Sequence, residues 1–290
     1  MELPIVVEFD QVRKSFGAQT ILSGLNFAIG RGEFVCLLGP NGAGKSTTIG
    51  LLVGMLKPDS GTVKILNSAR VSPEVRARFG YAPQDCSFPS NVTARQWLSF
   101  VGAHFAKSIS LAQLAEKFDC EIPMDRPLGQ LSGGQRRLVG LLGAFIGQPE
   151  LVILDEPTVG LDLEVRRSVW KFLRSFVKGG GTILMTTHIL MEAEQLADRV
   201  LVLNQGVVVQ SGSPQAIRQR FGFKRITFSA DEAPPTPIGA IFDQESWVVE
   251  AHDSDARLRL LMEWGMARDV AVAPLALEEV FIRIVEREGL

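Results

Sequence analysis

Residues 39–47, Gly-Pro-Asn-Gly-Ala-Gly-Lys-Ser-Thr, constrain the fold of this chain more than any other stretch. An apolar run at residues 34–38 precedes this glycine-rich loop, and apolar residues at helical spacing follow it. Strand, glycine loop and helix form the context in which G-x-x-x-x-G-K-[S/T] is informative. The glycines let backbone N–H groups close around phosphate oxygens, and the helix start adds its positive dipole end. The pattern therefore predicts a site for a nucleoside triphosphate, not merely a turn.

Two side chains of the loop are expected to bind different parts of the nucleotide complex, the phosphates and the Mg²⁺ ion. Lys45 is long enough to reach the β- and γ-phosphates, and the Ser46 hydroxyl is a ligand for Mg²⁺. The residues predicted to surround ATP here are Gly39, Pro40, Asn41, Gly42, Ala43, Gly44, Lys45, Ser46 and Thr47.

A second buried strand ends in two acids. Residues 151–154 are Leu-Val-Ile-Leu, as expected for a strand covered on both faces of a parallel sheet, and Asp155 and Glu156 follow. Asp155 is placed to hold Mg²⁺ through water. Glu156 is placed to accept a proton from an attacking water, a role typically worth about 10²–10⁴ in rate. The alternative is a pair of solvated acids, which the nearby phosphate loop disfavours.

Composition restricts the class of protein. The 290 residues are 46% hydrophobic but contain no apolar run long enough to span a bilayer. Residues 1–4 lack a basic region followed by an apolar core, so no secretory signal is predicted. Cys36, Cys86 and Cys120 are odd in number and far apart, which indicates neither disulfides nor a metal site and suits a reducing cytosol.

Strand and helix patterns alternate through most of the chain and predict an α/β sheet with helices on its faces. Residues 5–35 indicate an N-terminal antiparallel β region, and residues from about 85 to 147 lack β signals and indicate a helical insertion. We predict a first domain at residues 1–222 and a small α+β module at residues 223–290. That module carries 7 Lys+Arg against 13 Asp+Glu, a net charge of −6. The sequence contains no block of five or more like charges, so it does not indicate nucleic-acid binding.

A second glycine-rich segment, Leu-Ser-Gly-Gly-Gln at residues 131–135, precedes an apolar run at helical spacing. Backbone N–H groups at Ser132, Gly133 and Gly134 are therefore expected to form another phosphate site at a helix start. One chain with two such sites but only one set of lysine and acids predicts that two chains share each nucleotide.

With these motifs in this order, residues 5–220 resemble the ABC ATPase family, whose signature motif is Leu-Ser-Gly-Gly-Gln. The resemblance implies a P-loop NTPase core and an active ATPase that uses ATP and Mg²⁺. It also implies roles for further residues. Gln84 resembles the residue that touches Mg²⁺ or water, Asp162 the acid at the subunit interface, and His188 the histidine at the γ-phosphate. Gln135 ends the signature, and Phe16 lies where the family stacks adenine, although core packing is its alternative.

The resemblance further implies partners. A homodimer, or a heterodimer with a second ATPase subunit, would close on ATP and reopen after hydrolysis, driving a separate transmembrane permease. The ending Leu-Glu-Glu-Val-Phe at residues 277–281 resembles the tail of drug- or polysaccharide-efflux ATPases, so export is the expected direction. The expected location is cytoplasmic, peripheral on the inner face of the cell membrane, and no nucleic-acid partner is expected.

Two other functions remain open. A soluble ABC ATPase acting on ribosomes or DNA usually carries two ATPase halves or a long coiled-coil arm, and the sequence shows neither. An ATP-gated regulatory subunit is disfavoured because Glu156 and His188 are both present.

Overall fold

The computed structural model describes residues 4–119, 121–243 and 245–287. The chain divides into two compact units, Met1–Ser211 and Gly212–Leu290. The predicted contents of these units, an α/β domain and a small α+β module, are both present. The division comes before residues 214–221, so the helix there groups with the C-terminal unit.

The first unit contains two sheets and seven α-helices among the described residues. Its strands are β1 (Ile5–Phe16), β2 (Gln19–Gly30), β3 (Phe34–Leu38), β4 (Ser60–Ile65), β5 (Phe79–Ala82), β6 (Leu151–Asp155), β7 (Thr182–Thr186), β8 (Arg199–Asn204) and β9 (Val207–Gly212). Its helices are α1 (Lys45–Leu52), α2 (Pro73–Arg76), α3 (Ala94–Gly102), α4 (Leu111–Phe118), α5 (Gly133–Phe145), α6 (Leu163–Lys178) and α7 (Leu190–Leu196), with a 3-10 helix at Leu128–Gln130.

The larger sheet has the strand order β5-β6-β7-β3-β8-β9. Adjacent strands in this order are parallel from β5 through β8. Every residue of β3, β6 and β7 is buried, as continuous apolar runs predict for strands covered on both faces. Because β6, β7 and β3 are adjacent and parallel, the segments that follow them meet at one edge of the sheet. This edge carries the phosphate loop, the two acids and His188.

The smaller sheet is the predicted antiparallel β region, in the order β2-β1-β4. Its buried side, which includes Val7, Leu25 and Ile65, packs in one hydrophobic cluster with Leu37 and Ile153 of the parallel sheet. The two sheets of this unit therefore share a core.

Strands β8 and β9 form a hairpin. Its two-residue turn, Gln205-Gly206, has positive φ at both positions, 47° and 78°. Two consecutive positive φ angles match the twist of flanking antiparallel strands, which explains why glycine stands at the second position.

The helical insertion is held against the parallel sheet at Gly80. A Cβ added to Gly80 in β5 would lie 1.8 Å from the carbonyl oxygen of Ala144 in α5. A backbone atom cannot rotate away as a side chain does, so only glycine permits this approach. The contact fixes α5, and with it residues 131–135, relative to the sheet.

We expect Gly80→Ala to lower the free energy of unfolding by at least the roughly 1–3 kcal/mol typical of overpacking, because helix α5 must shift. Gly212→Ala is the matched control: its Cβ would find atoms of Ala216 and Ile217 at 3.7 Å, an ordinary contact distance. Urea denaturation measures both variants. Equal midpoints for the two would show that the helix adjusts without penalty.

The C-terminal unit is an antiparallel sheet with helices. Its elements are α8 (Pro214–Phe221), β10 (Lys224–Ser229), β11 (Ile241–Asp243), β12 (Ser246–Ala251), α9 (Ser254–Trp264), β13 (Arg268–Pro274) and α10 (Leu277–Arg287), with a 3-10 helix at Thr236–Ile238. The strand order is β11-β12-β10-β13. Ile226, Phe228 and Leu261 belong to its small separate core, and α8 contacts α10 within the unit.

Two composition-based expectations concern membranes and thiols. Within the described ranges, no helix combines the length and apolar character needed to cross a bilayer. Cys36 and Cys86 are free thiols. Cys120 lies outside the described residues, as do residues 1–3 of the segment in which no secretory signal was predicted.

Candidate functional site

The phosphate loop connects β3 to α1 in a conformation that its glycines make possible. Gly42 and Gly44 have φ of 82° and 108°, which side chains other than glycine rarely adopt. A Cβ on Gly44 would lie 2.7 Å from Leu22, and one on Gly39 would lie 2.4 Å from the carbonyl oxygen of Leu203. Helix α1 begins at Lys45, so the N–H groups of its first turn have no partner inside the helix. These donors are available to an anion.

Lys45 is held inside the loop. Its Nζ donates to the carbonyl oxygens of Gly39 at 2.6 Å and Pro40 at 3.1 Å. Burial lowers the pKa of the Lys45 ammonium, and the charges of Glu156 and Asp155 partly oppose that shift. A desolvated cation whose hydrogen bonds to the described residues go to neutral carbonyl groups is poised for an anionic ligand such as phosphate.

Asp155 ends strand β6 as a buried carboxylate. Its Oδ1 accepts a hydrogen bond from Thr186 Oγ1 at 2.5 Å. Burial raises the pKa of the Asp155 carboxyl; the Thr186 hydrogen bond lowers it, Glu156 raises it further, and Lys45 lowers it. The net shift is upward, so the protein leaves this charge only partly compensated. Such a carboxylate at the sheet edge has the chemistry of a ligand for a hard cation.

Glu156 brings three of the predicted residues together. Its Oε2 accepts a hydrogen bond from Gln84 Nε2 at 3.1 Å and lies 3.2 Å from His188 Nδ1. The Glu156 backbone has φ of 48°, an uncommon conformation for a residue that is not glycine. Its N–H group is fixed by Thr186, whose carbonyl oxygen and Oγ1 both lie at 3.1 Å. The carboxylate is 14% exposed, so it is sheltered but reachable.

Residues 131–135 form the start of helix α5, as predicted. Ser132 Oγ accepts from the N–H of Gln135 at 3.2 Å, and the Ser132 N–H donates to Gln135 Oε1 at 3.0 Å. This reciprocal pair is a capping box, so the Ser132 N–H is already engaged. The first-turn N–H groups of Gly133 and Gly134 are the donors that remain for an anion. A Cβ on Gly134 would lie 3.3 Å from the carbonyl oxygen of Gly160, next to Asp162.

Two predicted residues lie apart from this cluster. Phe16 ends β1 beside a hairpin turn and is 50% exposed, so its ring does not belong to the core. Lys14 Nζ lies 5.5 Å from the Phe16 ring centroid. Asp162 caps helix α6, because its Oδ1 accepts from the N–H of Val165 at 2.9 Å. The side chains of Ser46 and Asp162 are exposed.

Residues that were not predicted from the sequence hold the acids and His188 in place. Thr186 fixes both Asp155 and Glu156, as described above. The buried carboxylate of Glu192 binds Thr158, Thr187 and Trp170. A paired Thr-Thr at the end of an apolar strand, beside an acid-ending strand, was the available signal for Thr186 and Thr187. Glu192 carries no such signal.

Comparisons with known proteins bear on the family and the fold. The family described as "ABC transporter" matches residues 22–159. The chain is 38% identical to Nod factor export ATP-binding protein I of Burkholderia lata, and the match covers 97% of each protein. It is 34% identical to the protein of the same name from Paraburkholderia xenovorans, again over 97% of each.

Two solved structures extend the comparison. A structure described as the ATP binding subunit of an ABC transporter matches with TM-score 0.68 and 30% identity, over 75% of this chain and 93% of that one. A dimeric ATP-binding cassette in a post-hydrolysis state, bound to ADP and Pi, matches with TM-score 0.63 and 25% identity, over 71% of this chain and 98% of that one.

Proposed function

The chain belongs to the ABC transporter family as an ATP-binding, ATP-hydrolysing subunit, and on that premise we propose that it powers export through a separate transmembrane permease. One observation carries the catalytic part of the proposal. The Glu156 carboxylate lies at the sheet edge, where its Oε2 contacts both Gln84 Nε2 and His188 Nδ1. The strand order brings this edge together with the phosphate loop.

The hydrolysis reaction follows from these placements. The phosphate loop and Lys45 bind the β- and γ-phosphates, and Glu156 accepts a proton from water as the water oxygen attacks the γ-phosphorus. The bond to the β-γ bridging oxygen breaks, giving ADP and phosphate. His188 contacts the γ-phosphate and orients Glu156. Phe16, exposed and next to a cation, stacks on the adenine ring.

The donor set also fits Mg²⁺. The exposed Ser46 hydroxyl, the Gln84 amide and the under-compensated Asp155 carboxylate are oxygen donors of the kind that Mg²⁺ prefers. When bound, the ion would neutralise charge on the phosphate oxygens.

Two copies of the chain complete each site. The donors at Gly133 and Gly134, with the Ser132 hydroxyl and Gln135, belong to a helix start that has no lysine or acid pair of its own. We assign them to the γ-phosphate of ATP bound in the cradle of a second copy, with Asp162 at the contact between copies. A homodimer therefore encloses two ATP molecules, closes when they bind and reopens after hydrolysis.

Gln84 supports the proposed coupling between ATP hydrolysis and the permease, and the relatives support export as the direction of transport. Gln84 lies on an exposed segment and donates a hydrogen bond to Glu156, the proposed base. Movement of that segment would therefore change the contacts of Glu156. The relatives are named for export of Nod factor, and residues 277–281 begin helix α10 with the tail pattern of efflux ATPases. We place the protein on the inner face of the cell membrane, bound to the permease.

Membrane flotation tests the transporter assignment. The purified chain, mixed with membranes of its host, should float with them in a density gradient and should not float with protein-free vesicles of the same lipids. A permease supplies this difference, since the described residues offer no membrane-spanning helix. Flotation with neither membrane, together with co-sedimentation with ribosomes, would contradict the proposal in favour of a ribosomal ABC ATPase.

A further inference from the structure

Glu192 of helix α7 is a carboxylate that the proposed reaction does not use, yet it is fully buried, with 0% of its surface exposed. Its Oε1 accepts hydrogen bonds from Thr158 Oγ1 and from Trp170 Nε1, the latter at 3.1 Å. Its Oε2 accepts from Thr187 Oγ1 at 2.6 Å. Buried charge requires such hydrogen bonds, and here all three donors are neutral.

The three donors belong to three different segments of the first unit. Thr187 directly precedes His188. Thr158 lies two residues after Glu156, in the turn that continues to Asp162. Trp170 is in α6. One carboxylate therefore ties the histidine loop to the turn after the catalytic acid and to a long helix.

The Thr187 hydroxyl fixes the backbone on both sides of His188. While it donates to Glu192, its oxygen accepts from the N–H of Ile189 at 2.9 Å. The His188 side chain is exposed, and its one polar contact among the described residues is with Glu156, at 3.2 Å. The position of the imidazole relative to Glu156 is therefore set mainly by the backbone of its loop, which Glu192 anchors through Thr187.

We propose that Glu192 is a positioning residue for ATP hydrolysis, holding the loop of His188 in register with Glu156. The inference rests on the proposed roles of those two residues. Glu192 touches neither of them directly; its effect passes through Thr187, while Thr158 holds the other oxygen.

Glu192→Gln tests this assignment because it keeps the shape and replaces one acceptor oxygen with a donor. Because Trp170 Nε1 can only donate, the amide oxygen stays on its side, so Thr187 Oγ1 faces the NH2 group and loses its acceptor. We expect kcat to fall about tenfold, with the KM for ATP changed less than about threefold, because the phosphate loop is untouched. Thr187→Val should give the same result, and Thr187→Ser, which keeps the hydroxyl, should restore turnover.

Trp170→Phe is the matched control for a merely structural role. It removes one donor to the same carboxylate but leaves both threonine hydroxyls, so kcat should stay within about twofold of wild type even if the thermal midpoint falls. If Trp170→Phe lowers kcat as much as Glu192→Gln, then Glu192 acts through general stability and the inference is overturned.

A double-mutant cycle with His188→Ala tests the route. If Glu192 acts through His188, Glu192→Gln should cost less than about twofold in the His188→Ala background, measured by release of radiolabelled phosphate. A full tenfold loss in that background would overturn the inference. Wild-type turnover by Glu156→Gln and His188→Ala would instead refute the proposed function. Loss of turnover in those two variants, with wild-type kinetics for Glu192→Gln and Thr187→Val, would refute only the inference about Glu192.

Discussion

Glu156→Gln should lower the kcat of ATP hydrolysis by about 10²–10⁴ and leave the Kd for ATP nearly unchanged. The amide keeps the size and can keep the contacts with Gln84 and His188, but it cannot accept a proton from water. Because ATP still binds and is not consumed, the dimer should accumulate in its closed form. Size-exclusion chromatography with ATP, compared with ADP, measures that accumulation.

Asp162→Asn is a suitable control for removing a carboxylate near the site. Its Oδ1 can still cap helix α6, and Asp162 has no role in proton transfer in the proposed reaction. Its kcat should exceed that of Glu156→Gln by at least about tenfold. Hydrolysis by Glu156→Gln at the wild-type rate would show that another group is the base.

The sequence predicted the elements that carry the site because each combines a strong apolar pattern with a terminal polar group. The buried strand β3 leads directly into the glycine loop, and the buried strand β6 ends at Asp155 with Glu156 following it. Adjacent parallel strands then required these segments to meet. The fold class and the family are confirmed, whereas the roles of the individual site residues remain proposals.

The supporting contacts could not be predicted because their residues have ordinary alternatives. Thr186 and Thr187 fit a buried strand as β-branched residues, and nothing in the sequence shows that their hydroxyls face carboxylates. Glu192 lies on a short helix, where a charged residue usually faces solvent. The bond of the Ser132 N–H to Gln135 was predictable, since Ser-x-x-Gln before an apolar run is a capping-box pattern.

If two chains share each ATP site, substitution of Ser132 should strongly reduce ATP hydrolysis. We expect Ser132→Arg to leave the Kd for ATP of the single chain within about threefold, because the phosphate loop is separate from helix α5. The kcat should fall by about 10² or more, because loss of oriented donors at a developing charge has that magnitude. The closed dimer should also fail to form in the Glu156→Gln background. Steady-state hydrolysis and size-exclusion chromatography measure these effects.

Ser213→Arg controls for the loss of a helix cap and for the added charge. Ser213 caps α8 in the C-terminal unit just as Ser132 caps α5, accepting from the N–H of Ala216 at 3.1 Å. The Ser213→Arg variant should hydrolyse ATP normally.

Mixing Ser132→Arg with Lys45→Ala chains then distinguishes a site shared between two chains from a site complete within one chain. In a mixed dimer, one site carries both lesions and the other carries neither, so the mixture should regain activity that neither variant has alone. If Ser132→Arg alone hydrolyses ATP at the wild-type rate as a monomer, each chain contains a complete site and the proposed dimer is wrong.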